Sequence, residues 1–183
     1  MRKMTGILLC TALLCTGCSS ANSSKKNSAK LTAYAGYYKA IEDNTKWSVS
    51  SKYYTLSAEM SVLPDGTYRY YIVADEAQIA MYDIVIMAVQ DHIEYEQSTV
   101  MMPTMGIFDT ADYSMIPYQV DKENGFVEGM VISGECSQPD VVLNILVEWH
   151  DSTNENTYRE FFAVELTPEG FTAAAEAQTG AAE

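Results

Sequence analysis

The chain has 183 residues, 48% of them hydrophobic, and carries a formal net charge of −14 at pH 7. This length suits one domain with a core of its own. The strong negative charge excludes nucleic acid as an expected partner, because the phosphate backbone would repel so acidic a protein.

The first 17 residues have the features of a secretory signal peptide. Arg2 and Lys3 precede a short apolar run that begins at Ile7. The run is much shorter than the roughly 20 apolar residues that a membrane-spanning helix needs. Export is therefore predicted, and removal of Arg2 and Lys3 makes the net charge of the mature chain −16.

The end of this segment, Thr16-Gly17-Cys18, resembles the lipobox of bacterial lipoproteins, in which small residues precede a lipid-modified cysteine. The family carries Leu three residues before that cysteine, whereas Cys15 holds the position here. The resemblance implies lipidation of Cys18 and anchoring to the outer face of the bacterial cell membrane. The alternative is an ordinary signal peptide cleaved after Ala21, which would release a secreted protein.

Lipidation of Cys18 leaves the mature chain without a disulfide framework. Cys10 and Cys15 leave with the signal peptide, so Cys136 has no intramolecular partner. The core must therefore hold the fold without cross-links, and Cys136 is expected to serve as a small buried apolar residue.

Residues 18–30 comprise the lipid-bearing cysteine and a polar stretch without large apolar side chains. This composition predicts a flexible tether. A short amphipathic helix is predicted over residues 31–42 from four apolar residues at helical spacing, Leu31, Tyr34, Tyr38 and Ile41.

Alternation with a period of two begins near Tyr53 and predicts a hairpin of strands 54–63 and 67–76 around Pro64-Asp65-Gly66. With Leu63 opposite Thr67, the core face would pair Ala58, Met60 and Val62 with Ile72, Tyr70 and Tyr68. The opposite face is expected to meet water.

Residues 79–89 predict a third strand, which is apolar on both faces from Ile84 to Val89 and therefore central and covered. Between residues 99 and 120, Pro103 and Pro117 restrict any strand to an edge or a short piece. Residues 121–125 predict a turn.

Three more strands are predicted at 126–135, 141–150 and 157–166. Pairing of the last two places Val141, Leu143, Ile145, Val147 and Trp149 opposite Leu166, Val164, Phe162, Glu160 and Tyr158. On the reverse face Glu148 lies opposite Arg159. Residues 71–91 and 130–151 share a faint pattern that suggests two similar hairpins, although chance similarity between two amphipathic hairpins is the stronger explanation.

The predicted fold is an all-β, antiparallel β-sandwich over residues 31–168, with short helices near both ends of the mature chain. Thr167 and Pro168 predict the start of a helix in the Ala-rich tail, residues 169–183. The stretch 129–151 has a Gly-bearing strand followed by one that ends in Trp149-His150-Asp151. It resembles the immunoglobulin-like domains of bacterial lipoproteins, which implies a sandwich of that type.

Residues suited to catalysis are few. The two histidines are His92 and His150, and about 30 Å of predicted strand would separate Cys136 from His150. No Gly-x-Ser-x-Gly, His-Glu-x-x-His, Gly-rich phosphate loop or paired-cysteine motif occurs. A protein that is not an enzyme and has no cofactor is expected. The alternative is an envelope hydrolase whose carboxylates come from separate segments.

The sequence contains ligands suited to two kinds of metal site, one for copper and one for calcium. Soft ligands for Cu(I) occur at Met101, Met102, Met105 and Met115, with His92 nearby. Methionine more often fills gaps in a core, so no metal site is predicted and a metal-binding lipoprotein is the weaker alternative.

Two turns, residues 121–125 and 151–156, carry the oxygen ligands that calcium prefers. Both lack the full twelve-residue calcium loop, and Asp, Asn and Gly are also the common turn residues. Turns without calcium are therefore expected.

The thirteen tyrosines suggest a binding surface. Tyr71, together with Tyr37, Tyr53 and Trp47, would form an aromatic patch for a glycan or a protein, although tyrosine is also common in half-buried strands. The expected function is a surface-anchored, non-catalytic protein that binds an extracellular or envelope ligand or has a structural role.

Overall fold

A computed structural model describes residues 20–173 of the chain. The predicted signal peptide (1–17), the predicted lipidation site Cys18 and residues 174–183 of the tail lie outside the described residues. The described part contains one α-helix, α1 (Ser20–Glu42), and eight strands. These are β1 (Thr55–Val62), β2 (Tyr68–Asp75), β3 (Tyr82–Gln90), β4 (Thr104–Met105), β5 (Gly129–Cys136), β6 (Val141–His150), β7 (Thr157–Thr167) and β8 (Gly170–Ala173).

The strands form two sheets, of order β1-β2-β5 and β4-β3-β6-β7-β8, and neighbouring strands are antiparallel throughout. The sheets enclose the inter-sheet core, which includes Ile72, Ile132 and Ile145. Helix α1 covers the other face of the five-stranded sheet and encloses the helix-side core with Tyr34 and Leu146. The predicted all-β architecture of antiparallel sheets is confirmed.

Strand β3 is central, as its two apolar faces predict, because it contributes to both cores. Ile84, Ile86 and Ala88 point into the inter-sheet core, whereas Val85 and Met87 point into the helix-side core. All five side chains are buried. The period-two alternation of a strand thus lets one segment line two cores at once.

The β1–β2 hairpin has the predicted register, with Ala58 opposite Ile72 and Met60 opposite Tyr70. Its turn is closed by the Leu63 amide, which donates to the Thr67 carbonyl at 2.8 Å. One residue departs from the prediction. Val62, the last residue of β1 before the turn, is 60% exposed, although its partner Tyr68 packs against the core.

The predicted pairing of β6 with β7 is also confirmed, from Val141 opposite Leu166 to Trp149 opposite Tyr158. Glu160 is the polar exception on this face and lies opposite Val147. Burial, followed by the neighbouring Glu160 carboxylate, raises the pKa of the Tyr54 phenol. The Tyr54 phenol is therefore neutral at this end of the core.

The prediction of two similar hairpins over residues 71–91 and 130–151 is wrong. Strands β2 and β5 pair with each other in the three-stranded sheet, whereas β3 and β6 pair in the five-stranded sheet. The reason lies in burial: β3 and β6 need cover on both faces, but β2 and β5 each keep one half-exposed face. The connections 76–81 and 137–140 therefore cross between sheets.

Helix α1 is longer than predicted. Residues 31–42 are helical, with Tyr34, Tyr38 and Ile41 buried, but the helix begins at Ser20 and includes most of the predicted tether. No Gly or Pro interrupts residues 20–30, and the Lys30 ammonium donates to the carbonyls of Phe108 and Asp109 at 2.8 and 2.7 Å. These contacts hold the middle of the helix against the domain.

The predicted helix start at Thr167 is also wrong. Thr167 pairs with Gly170, so that Pro168 and Glu169 form a two-residue turn and β8 returns along β7. Proline disfavours helical backbone for the residue before it, which keeps Thr167 extended. The same Pro168 that would open a helix therefore ends a strand.

The Glu148 carboxylate joins α1 to the five-stranded sheet. Its side chain is 8% exposed. It accepts hydrogen bonds from the Tyr37 hydroxyl at 2.6 Å and from Arg159 Nε at 2.7 Å. Burial and the Glu148 carboxylate raise the pKa of Tyr37, so that this phenol remains a donor. The predicted position of Glu148 opposite Arg159 is confirmed.

Arg159→Ala should lower the free energy of unfolding by about 3 kcal/mol, because it leaves the buried Glu148 carboxylate without its cation. Urea denaturation measures the change. The matched control is Arg69→Ala, which breaks the ion pair with Glu135, whose two side chains are 42% and 55% exposed. The control should lose less than about 1 kcal/mol. Equal losses in both variants would contradict the structural role of Glu148.

Candidate binding cleft

A cleft of about 720 Å³ opens at the end of the sandwich where β2 leads into β3 and β4 leads into β5. Residues 75–78 form one wall. Residues 115–120, with Val127 and Glu128, form the other. The first wall is mainly acidic and the second is mainly apolar with one exposed aromatic ring.

The acidic wall is built on the last residue of β2. Asp75 pairs with Thr55 on one side and Gly129 on the other. A Cβ on Gly129 would lie 2.8 Å from the Cβ of Asp75, so only glycine allows this close approach. Thr55 Oγ1 donates to Glu76 Oε2 at 2.8 Å, which orients the second carboxylate. Burial, and then repulsion from Glu76, raise the pKa of Asp75.

The aromatic wall is a tight turn. The Gln119 amide donates to the Ile116 carbonyl at 3.1 Å, with Pro117 and Tyr118 as the two central residues. Tyr118 has a φ of +63° in the position where such a turn favours Gly or Asn. Its side chain is fully exposed. A bulky residue held in this backbone conformation without any packing is a strained feature of the kind that concentrates at functional sites.

The turn projects from a rigid base. Met115 is buried in the inter-sheet core and exchanges two backbone hydrogen bonds with Met81, at 2.8 and 2.9 Å. Ser114 bonds in the same way to the backbone of Gly125 and Val127. These contacts position the backbone of the turn that carries Tyr118, although nothing packs against its ring. The cleft can therefore offer an exposed aromatic ring on a fixed backbone and two or more carboxylates to a ligand with apolar and cationic parts.

A second cleft, of about 530 Å³, lies between the C-terminal end of α1 and the end of β3. Asp91 Oδ2 is 2.9 Å from His92 Nε2, and the Asn144 amide donates to Asp91 Oδ1 at 3.1 Å. The His92 side chain is 92% exposed. Because water surrounds His92, its interaction with Asp91 is weak. The residues that line the cleft include no nucleophilic hydroxyl or thiol.

The methionines considered for copper are not brought together. Met102 lies in the helix-side core and Met115 in the inter-sheet core, on opposite faces of one sheet. Met101 is exposed. Within residues 20–173, no group of three or more His, Cys, Asp or Glu side chains is placed to hold a metal ion.

In the oxygen-rich turn at 151–156, the Asp151 carboxylate accepts hydrogen bonds from other residues of the same turn. Asp151 Oδ1 accepts from the amides of Thr153 and Glu155 and from the Thr153 hydroxyl. Hydrogen bonds from Asn156 and then Thr153 lower the pKa of Asp151 to about 2. In the other turn, residues 122–124 form a short 3₁₀ helix, and Asp121 Oδ2 accepts from the Asn124 side-chain amide at 2.7 Å. Both segments are turns, as expected.

Cys136 and His150 do not meet. Cys136 ends β5, and His150 ends β6 after ten residues that run away from it, about 30 Å of extended chain. Cys136 is a half-buried free thiol. Burial raises its pKa, which disfavours the reactive thiolate.

The predicted aromatic patch is not one surface. Tyr37 and Trp47 pack beside the helix-side core, and Tyr53 packs against the inter-sheet core. Tyr71 lies on the three-stranded sheet. Tyr118 was not singled out from the sequence. No pattern marks it, because Pro-Tyr gives no reason to expect a left-handed residue.

Cys18 lies outside the described residues, so its predicted lipidation stays a prediction. In the described range, no helix has both the length and the apolar character needed to span a bilayer. Comparisons with family models, with curated proteins and with solved structures each find no match.

Tyr118→Gly should give a more stable protein than Tyr118→Ala, by about 1 kcal/mol, because glycine removes the cost of a left-handed backbone that alanine retains. Neither change loses packing, since the ring is fully exposed. Urea denaturation of the two variants provides the comparison. If Tyr118→Ala were the more stable, the turn would not be strained.

Proposed function

We propose that the protein is a lipid-anchored, extracytoplasmic binding protein without catalytic activity. The basic start, the short apolar run and Thr16-Gly17-Cys18 support lipidation of Cys18 and residence on the outer face of the bacterial cell membrane. The ligand is a protein or a glycan outside the cell or in the envelope. The alternative of a secreted protein differs only in the fate of Cys18.

The sandwich itself is proposed to be immunoglobulin-like, and its strand order supports this. In that fold the first, second and fifth strands share one sheet, and the third, sixth and seventh share the other. Here β1, β2 and β5 are neighbours, as are β3, β6 and β7, with β4 beside β3. Helix α1 and β8 would be additions to that plan.

This assignment bears on the binding end. In immunoglobulin variable domains the loops that bind antigen include those joining the second to the third strand and the sixth to the seventh. The cleft lies at that end, since residues 76–78 belong to the connection from β2 to β3 and residues 115–128 belong to the long connection before β5. The observation that carries the proposal is Tyr118, a fully exposed ring on a strained turn that lines the same cleft as the carboxylates of Asp75 and Glu76.

Binding is tested with the full-length protein against cell-wall fractions and host-surface proteins. Tyr118→Ala should weaken binding by about 2 kcal/mol, because central aromatic residues dominate binding surfaces. Phe171→Ala is the matched control, since Phe171 is also an exposed aromatic residue but lies outside the cleft. Equal affinity of the Tyr118→Ala protein and the unsubstituted protein would contradict the proposed site.

The acidic wall predicts how binding depends on pH. A cationic ligand needs the charged form of Asp75, whose pKa is raised above the ordinary value of 3.8. Affinity should therefore fall with decreasing pH at a higher pH than an ordinary aspartate would require. Asp75→Asn should weaken binding near neutral pH and reduce this pH dependence, as titration of the affinity would measure. An unchanged pH profile in Asp75→Asn would exclude a role for its charge.

A second function, an envelope hydrolase, is favoured by one observation. Asp75 has a raised pKa and lies next to a second carboxylate, Glu76, in an open cleft, as the general acid of a hydrolase can. Incubation with labelled cell-wall glycan and peptide separates the two functions. Cleavage that Asp75→Asn abolishes would establish the hydrolase and overturn the binding proposal.

The anchor has its own test. Mass spectrometry of the mature protein should show an acylated Cys18 as its first residue, and Cys18→Ala should move the protein out of the membrane fraction. A mature chain that begins at Asn22 would contradict lipidation and would establish the secreted form.

A further inference from the structure

Three large apolar side chains remain exposed around one groove between α1 and the segment after β3. Leu31, Val100 and Met101 are 52%, 69% and 56% exposed. Tyr34 and Tyr95 also line the groove, whose volume is about 410 Å³. Contiguous exposed apolar side chains, unlike singly scattered ones, are a feature of interaction surfaces.

The groove lies close to the proposed anchor. Helix α1 begins at Ser20, two residues after Cys18. Leu31 follows eleven residues later, about 16 Å along the helix at 1.5 Å per residue. An acyl chain on Cys18 would therefore hold the groove within a short distance of the bilayer.

The charges around the groove favour a membrane over a basic partner. Glu96 is the one carboxylate among the lining residues, and Lys39 lies 3.8 Å from it. In a mature chain of net charge −16, a groove whose one carboxylate lies near a lysine is a part of the surface that anionic headgroups would repel only weakly.

We propose that the apolar groove rests on the lipid bilayer, with α1 lying along the membrane surface and Leu31, Val100 and Met101 among the headgroups. The proposal rests on the proposed lipidation of Cys18. The contact itself can be weak, because the anchor already confines the domain to the surface and supplies a high effective concentration. The domain would then have a fixed orientation rather than rotate freely on a tether.

The experiment uses the acylated mature protein, which begins at Cys18, in phosphatidylcholine vesicles that contain phosphatidylglycerol and bromine-labelled lipid. Val100→Trp places a reporter at the groove. Val62→Trp places a matched reporter on β1, at a valine of similar exposure in the other sheet. The signal of the unsubstituted protein, from Trp47 and Trp149, is subtracted. Bromine should quench the reporter at 100 severalfold more strongly than the reporter at 62.

The outcomes separate this proposal from the anchor. A protein that lacks the acyl group and does not float with the vesicles would contradict both lipidation and the docking that depends on it. An acylated, floating protein with equal quenching at 100 and 62 would leave the anchor intact and overturn the docking. A third outcome would also overturn the docking: the reporter at 100 is shielded from water but not quenched by bromine, and light scattering in detergent shows a dimer. A second copy of the chain would then occupy the groove.

Discussion

The fold depends on one constraint: residues 84–89 of β3 and 145–147 of β6 are apolar on both faces and must be covered on both. Ile86 and Ile145 require the three-stranded sheet on one side, and Met87 and Leu146 require α1 on the other. Both strands are therefore central, and their neighbours in sequence, β2 and β5, must pair elsewhere. The order of the strands in both sheets follows from this need for burial. So does the position of α1, which covers the five-stranded sheet and adds a third layer to the sandwich.

Short-range pairing was predictable from the sequence, whereas the assignment of strands to sheets was not. The registers of β1 with β2 and of β6 with β7 follow from alternation and from the turns at 63–67 and 151–156, which are local. Whether β5 pairs with β6 or with β2 is decided by distant contacts, such as Ile132 opposite Ile72. The hairpin pattern of 130–151 contains no information about that competition.

The candidate cleft was beyond prediction for a related reason. Asp75, Tyr118 and Glu128 come from three separate parts of the chain, and they meet because β2, β4 and β5 place their connections at one end of the sandwich. Tyr118 carries no sequence signal, since its backbone conformation is imposed by the pairing of Met115 with Met81 and of Asp121 with Phe126 on either side. The aromatic residues that the sequence did suggest, such as Tyr37 and Trp47, are instead used to join α1 to the sheet.

The cleft and the apolar groove can act together because they differ in chemistry. The cleft presents carboxylates and one isolated ring, which suits a soluble cationic ligand, whereas the groove presents apolar side chains around one paired carboxylate. An anionic membrane would repel the former and accept the latter. If Cys18 anchors the chain as proposed, charge favours an orientation in which the groove faces the bilayer and the acidic cleft faces away from it. In that orientation the domain would offer Tyr118 to ligands on the far side.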